Sequence, residues 1–147
     1  AQRLLIGFRS PLQDGQAIIA SVENVSAVFD DEAKPKIAPR LDLLNLDGNG
    51  LRGMAWVPAL AGYLLIGGPA SAAEGPFSLW FWSGEAGAAA RRVTVPGLEN
   101  LAKAEGICPA VIDGVERVLI VSDDGNRKRH EPAHFLLLEP RQLHIAP

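Results

Sequence analysis

Two stretches of the chain set carboxylates against strand-like sequence. In "AEGICPAVI" (104–112) Glu105 precedes Gly106, and in "VLIVSDDG" (118–125) an aliphatic run ends on Asp123 and Asp124. Carboxylates gathered at one point, with waters and backbone carbonyls, make an oxygen-rich site for Ca²⁺ or Mg²⁺. A metal held by Glu105, Asp123 and Asp124 would polarise a phosphoester or lactone and activate water. Arg9 and Arg52 stand at similar punctuation, in "FRSP" and "LRGM", and a guanidinium suits a bidentate hold on an anionic group. The same residues also have structural uses. Asp-Asp-Gly is a good turn, since Asp caps its own backbone and Gly accepts positive φ. Glu105 can pair with Arg52 or Arg9 between neighbouring elements.

Other chemistries find little in the sequence. There is no G-x-S-x-G, phosphate loop, H-E-x-x-H or dinucleotide fingerprint, and no residue is singled out as catalytic. The single cysteine, Cys108, lies in the apolar run "GICPAVI" and is expected to be a buried structural residue. "DGNG" (47–50) resembles a cation-binding turn but lacks the further carboxylate of a calcium loop. The basic run Arg127–His130 reads as a solvated loop. Net charge is −3 with a pI near 5.6, and no basic stripe points to nucleic acid. No apolar run approaches the roughly 20 residues of a membrane helix, so a soluble protein, cytoplasmic or periplasmic, is expected.

The elements that must position these residues are strands. The 147 residues, 48% hydrophobic and 21% charged, suffice for one domain with a core. Eleven prolines and fifteen glycines are spread along the chain and leave few windows for a helix. "LENLAKAEG" (98–106) is the best helix candidate. "EAGAAARR" (85–92) is a glycine-flanked loop, and "FDDEAKPKIAPR" (29–40) a charged linker excursion. Three segments line up: "RLLIGFRSP", "YLLIGGPAS" and "RVLIVSDDG", with aliphatic starts at Leu4, Leu64 and Val118. A second strand follows each: 16–23, 77–84 and 134–140. "LRGMAWVPA" and "AEGICPAVI" precede the second and third, aligning Arg52-Gly53 with Glu105-Gly106. The middle unit is complete, with strands a 51–59, b 63–68, c 77–83 and d 91–96. The first unit lacks a, and the third has only "LHI" (143–145) as its d. In strand c, Trp80, Phe81 and Trp82 alternate, one face packing between units and the other open.

Four antiparallel strands returning about every fifty residues are the signature of a propeller blade. The expected fold is therefore all-β, a propeller segment of about three four-stranded blades, fragment or half-propeller, in a single domain 1–147. The blade units are about 1–49, 50–97 and 98–147. Propellers need four to eight blades, so this one is incomplete without further chain or a partner. Open strands at residues 1–10 and after 135 are expected to pair with a copy of the chain or with another part of the same protein.

"IGFRSP", "LRGMAW", "YLLIGGP" and "VLIVSDDG", in that order, resemble the bacterial domain-of-unknown-function family numbered 3616. The resemblance runs from about residue 4 to 125. It implies a propeller-like fold, similar in style to phytase-like and lactonase-like propellers, with no settled activity and with more sequence upstream.

Alternating strand direction assigns the faces. In such blades the turns before strand a and after strand b emerge on one side. Arg9, Arg52, Glu105, Asp123 and Asp124 should therefore ring one mouth of the channel. The leading expectation is a small ligand or partner bound there. A Ca²⁺- or Mg²⁺-assisted phosphoester or lactone hydrolase, and an assembly scaffold, are the alternatives.

Overall fold

A computed structural model describes residues 3–71, 75–99, 101 and 103–147. Strands dominate, in three antiparallel sheets, none of them closed. The first sheet contains β1 (Leu4–Gly7), β2 (Ala17–Val22) and β3 (Asp42–Leu44) in that order. A short helix, α1 (Val25–Asp30), interrupts the β2–β3 connection. The middle sheet is built from β4 (Gly50–Val57), β5 (Gly62–Gly68), β6 (Ser78–Trp82) and β7 (Arg91–Thr94). The third joins β8 (Ala104–Ile112), β9 (Val115–Ser122) and β10 (Phe135–Leu138). Among the described residues no helix is long and apolar enough to cross a membrane.

Each sheet is a meander because its aliphatic runs are separated by residues that tolerate reversal. Asp113 and Gly114 both take positive φ at the two-residue β8–β9 turn, the backbone a tight hairpin needs. Ala61 takes a left-handed conformation between β4 and β5.

The sheets pack face on face, and two cores result. Ala17, Ile19 and Leu44 of the first sheet meet Leu51, Leu65, Trp80 and Trp82 of the middle one. On its other side the middle sheet sets Val57, Leu64, Ile66, Leu79 and Phe81 against Val118, Ile120 and Leu138 of the third. The middle sheet is thus covered on both faces, and all five residues of β6 are buried. This corrects the expectation of an open face along Trp80, Phe81 and Trp82. A strand buried on both faces reads as a continuous apolar run rather than an alternating one, which "LWFW" does.

Other expectations also need correction. "LHI" does not close the third unit. β11 (His144–Ile145) instead pairs with β7 at the outer edge of the middle sheet, His144 opposite Thr94 and Ile145 opposite Val93. Residues 98–106 do not form a helix where they are described: Leu98 bridges back to Val95, and β8 already begins at Ala104. Asn100 and Ala102 lie outside the described residues, as do Ala1 and Gln2 at the start of the expected edge segment. The 29–40 excursion takes up the end of α1 and the Ile37 bridge to Val22. Cys108 is exposed rather than buried, because it points to the face of the third sheet away from the core.

Candidate functional site at the β4–β8 bulges

The site grows from two irregularities in strand pairing. In β4, Leu51 pairs with Gly67 and Gly53 with Ile66, leaving Arg52 as an extra residue. In β8, Ala104 pairs with Ser122 and Gly106 with Val121, leaving Glu105 as the extra residue. Each is a β-bulge, a device that bends a strand and re-aims one side chain. The glycine after each bulge admits a close neighbour. A Cβ on Gly53 would come within 3.2 Å of Ile107 Cγ2, and one on Gly106 within 2.7 Å of Val121 Cγ2.

β4 and β8 lie side by side and run in the same sense. Arg52 meets Glu105 near their starts. Val57–Ala59 and Pro109–Val111 share a cleft of about 270 Å³ near their ends. The two bulged side chains therefore face each other across the junction of two sheets. Arg52 Nη1 donates to Glu105 Oε1 at 2.6 Å, and Nη2 donates to the Pro69 carbonyl at 2.6 Å. The guanidinium also lies over the Phe77 ring, 5.4 Å from its centre. The Arg52 side chain is only 9% exposed, against 38% for Glu105. Its Nε is buried and has no hydrogen-bond partner among the described residues.

Arg9, from the loop after β1, reaches the same loop. Its Nε donates to Pro69 O at 3.4 Å and its Nη2 to Ser71 O at 2.7 Å. Arg9, Arg52 and Glu105, drawn from all three sheets, are thus joined through the 69–71 backbone.

The aspartates separate. The Ala104–Ser122 register puts Asp123 at the same end of the third sheet as Glu105, and Asp123 N donates to Lys103 O at 2.8 Å. No ion pair or hydrogen bond engages the Asp123 carboxylate among the described residues, and the residue is exposed. Asp124 instead folds onto the next strand. It accepts the His134 backbone N–H at 2.8 Å, and its second oxygen lies 2.7 Å from His134 Nδ1. Those two hydrogen bonds, the backbone one foremost, hold the Asp124 carboxyl below its usual range. Nδ1 must carry a hydrogen to serve an ionised Asp124.

Glu105, Asp123 and Asp124 therefore do not converge as metal ligands. Glu105 is turned to Arg52 and Asp124 to His134. Among the described residues no group of three or more His, Cys, Asp or Glu side chains is placed to hold a metal ion. Phe77, over which Arg52 lies, and His134, which holds Asp124, are partners that the motifs did not reveal. The only signal for His134 was its place at the start of the strand following the Asp-Asp-Gly turn.

Residues 1–139 match the family described as protein of unknown function DUF3616. The chain belongs to this family. The DUF3616 match takes in every strand from β1 to β10 and both bulges, and ends before β11. Comparison with curated proteins and with solved structures finds no match.

Proposed function

We propose that the chain is a run of propeller-type blades whose rim, built from Arg9, Arg52, Glu105, Asp123 and Asp124, binds a small polar ligand or a partner. The observation that carries this reading is the pairing of two bulged side chains, Arg52 and Glu105, at one end of adjoining strands. A bulge repeated at equivalent positions re-aims polar groups to a common place, and bulges concentrate beside functional sites. The exposed carboxylates of Asp123 and Glu105 flank that place and offer acceptors to an incoming group.

A hydrolase using Ca²⁺ or Mg²⁺ would need Glu105, Asp123 and Asp124 turned onto one point, and two of the three are committed elsewhere. The binding reading is preferred for that reason. An assembly scaffold is the second reading, favoured by the grip of Arg9 and Arg52 on the 69–71 backbone.

Thermal-shift measurements with amines, carboxylates, phosphates, sugars, Ca²⁺ and Mg²⁺ test the assignment. One polar class should raise the melting temperature of the wild-type chain and fail to do so in Asp123→Asn and Glu105→Gln. No class acting, with both variants changed only in stability, supports the scaffold. Stoichiometric Ca²⁺ binding lost in Asp123→Asn would restore the hydrolase.

A further inference from the structure

The cleft at the far end of β4 and β8 arises from a mismatch between two equivalent hairpins. With Gly53 matched to Gly106 by the bulges, Val57 matches Ala110. β4 stops at Val57, where Pro58 opens a single 3-10 turn (Pro58–Leu60), and the chain returns as β5 from Gly62. β8 instead stays extended to Ile112 before its two-residue turn. The third sheet therefore overhangs the middle one. On the overhang Val111 pairs with Glu116, two residues beyond the Pro109–Val118 pair. Glu116 and Val111 thus share the face on which Val118 is fully buried. Past the end of β4 that face loses its cover, and Val111 is 70% exposed.

Small, stiff residues wall the cleft. Pro58 and Ala59 come from the middle sheet, Pro109 and Ala110 from the third, and Pro140 from the turn after β10. Proline and alanine side chains have no rotamer freedom to lose, so the walls are pre-formed and covering them freezes little. The volume, about 270 Å³, falls just below the roughly 300–1,000 Å³ of pockets for drug-sized ligands, which limits the occupant to a small molecule. Two charged residues complete the lining, and they differ in state. Arg117 is committed, paired with Glu139 at 3.2 Å. The Glu116 carboxylate has no ion pair or hydrogen bond among the described residues, and Arg117 reaches only its backbone carbonyl, at 3.4 Å. The cleft therefore offers apolar walls and one uncommitted negative charge.

We infer that this cleft is a second ligand site, for a small amine carrying an apolar body. The body covers Val111 and the proline walls, and burial of apolar surface supplies most of the affinity. The ammonium group meets Glu116, whose ionised oxygens only accept hydrogen bonds. An exposed ion pair adds little strength, so Glu116 acts by selecting the sign of the ligand. An anion gains nothing from Arg117, which Glu139 already neutralises. The site lies at the end of β4 and β8 remote from Arg52 and Glu105, and the inference is independent of any ligand at the rim.

Titration of the 147-residue chain with three probes of one shape, followed by two-dimensional NMR, tests the assignment. 2-Phenylethylamine should bind with a Kd on the order of 1 mM or tighter and shift the amides of Ala59, Ala110, Val111 and Glu116. 2-Phenylethanol should bind about two- to fivefold more weakly, and 3-phenylpropanoate more weakly still. Glu116→Gln should bring the amine down to the level of the alcohol and leave the alcohol unchanged. Ala59→Trp, a change at an exposed position, should obstruct the cleft and weaken amine and alcohol alike by at least about tenfold. Glu105→Gln and Asp123→Asn, at the rim, should bind the amine as the wild type does. No binding of the amine overturns the inference, as does equal binding of all three probes. An affinity that ignores Ala59→Trp also overturns it, and loss of the amine in the rim variants would move that ligand to the rim.

Discussion

Arg52 and Glu105, each the unpaired residue of a β-bulge, meet at 2.6 Å across the junction of the middle and third sheets. The contact is lopsided: the guanidinium is buried and the carboxylate half open to water. Arg52→Ala removes a charged donor to Glu105 and Pro69 and leaves a gap beside Phe77. It should cost about 2–3 kcal/mol of stability. Glu105→Gln, at a better-solvated position, should cost less than about 1 kcal/mol. Urea unfolding of both variants checks the ranking, and equal losses would show that Glu105 is the true anchor.

Backbone proximity makes Gly50 irreplaceable. A Cβ there would stand 1.9 Å from the Arg9 carbonyl oxygen, in a region fixed by the Leu51 N–H bond to Phe8 O. Gly50→Ala should destabilise by at least about 3 kcal/mol or prevent folding. Thermal unfolding that leaves Gly50→Ala within a few degrees of wild type would contradict this packing of β4 on the β1 loop.

Acid should loosen the junction of the β9 turn with β10. The folded Asp124 carboxyl is held below its ordinary range by His134, so its folded value lies below its unfolded one. Its contribution is complete above the unfolded aspartate value of about 3.9. It is lost as pH falls through the depressed folded value. The melting-temperature gap between wild type and Asp124→Asn should therefore narrow on going from about pH 6 to about pH 3. A gap that stays constant would dissociate stability from this carboxylate.

At the centre of the first core, the Trp82 indole is 1% exposed and its Nε1 has no hydrogen-bond partner among the described residues. Trp82→Phe sacrifices no hydrogen bond and relieves a desolvated donor, so the loss should stay near 1–2 kcal/mol, about what the smaller ring costs. Trp82→Ala should cost about 3–5 kcal/mol. Calorimetry that ranks the two variants alike would point to a polar role for the indole.

The strand sequence was legible because each strand is a short aliphatic run stopped by glycine, proline or aspartate. That pattern set Arg52-Gly53 against Glu105-Gly106, and the two bulges fall there. The match of Leu64 with Val118 is one residue out in space, since the bulge register equates Leu64 with Leu119. A one-residue slip exchanges the two faces of a strand; Cys108 was expected to be buried only because its neighbours in "GICPAVI" are apolar, and such a run does not say which face a residue takes. α1 escaped notice because six residues with no buried member carry no periodic stripe. The destination of Asp124 was hidden because it depends on a ten-residue excursion folding back to His134. "LHI" was read correctly as a strand and assigned to the wrong sheet, since two residues carry too little pattern to choose a neighbour.

β11 leaves the third sheet and fastens to β7, beyond the outer strands of the middle one. The polypeptide thereby loops around its own second core like a strap. Amide protons in β8–β10 should consequently exchange in concert with those of β4–β7. The first sheet, held by its core contacts, the Leu51–Phe8 bond and Arg9 rather than by a crossing strand, should exchange as a separate unit.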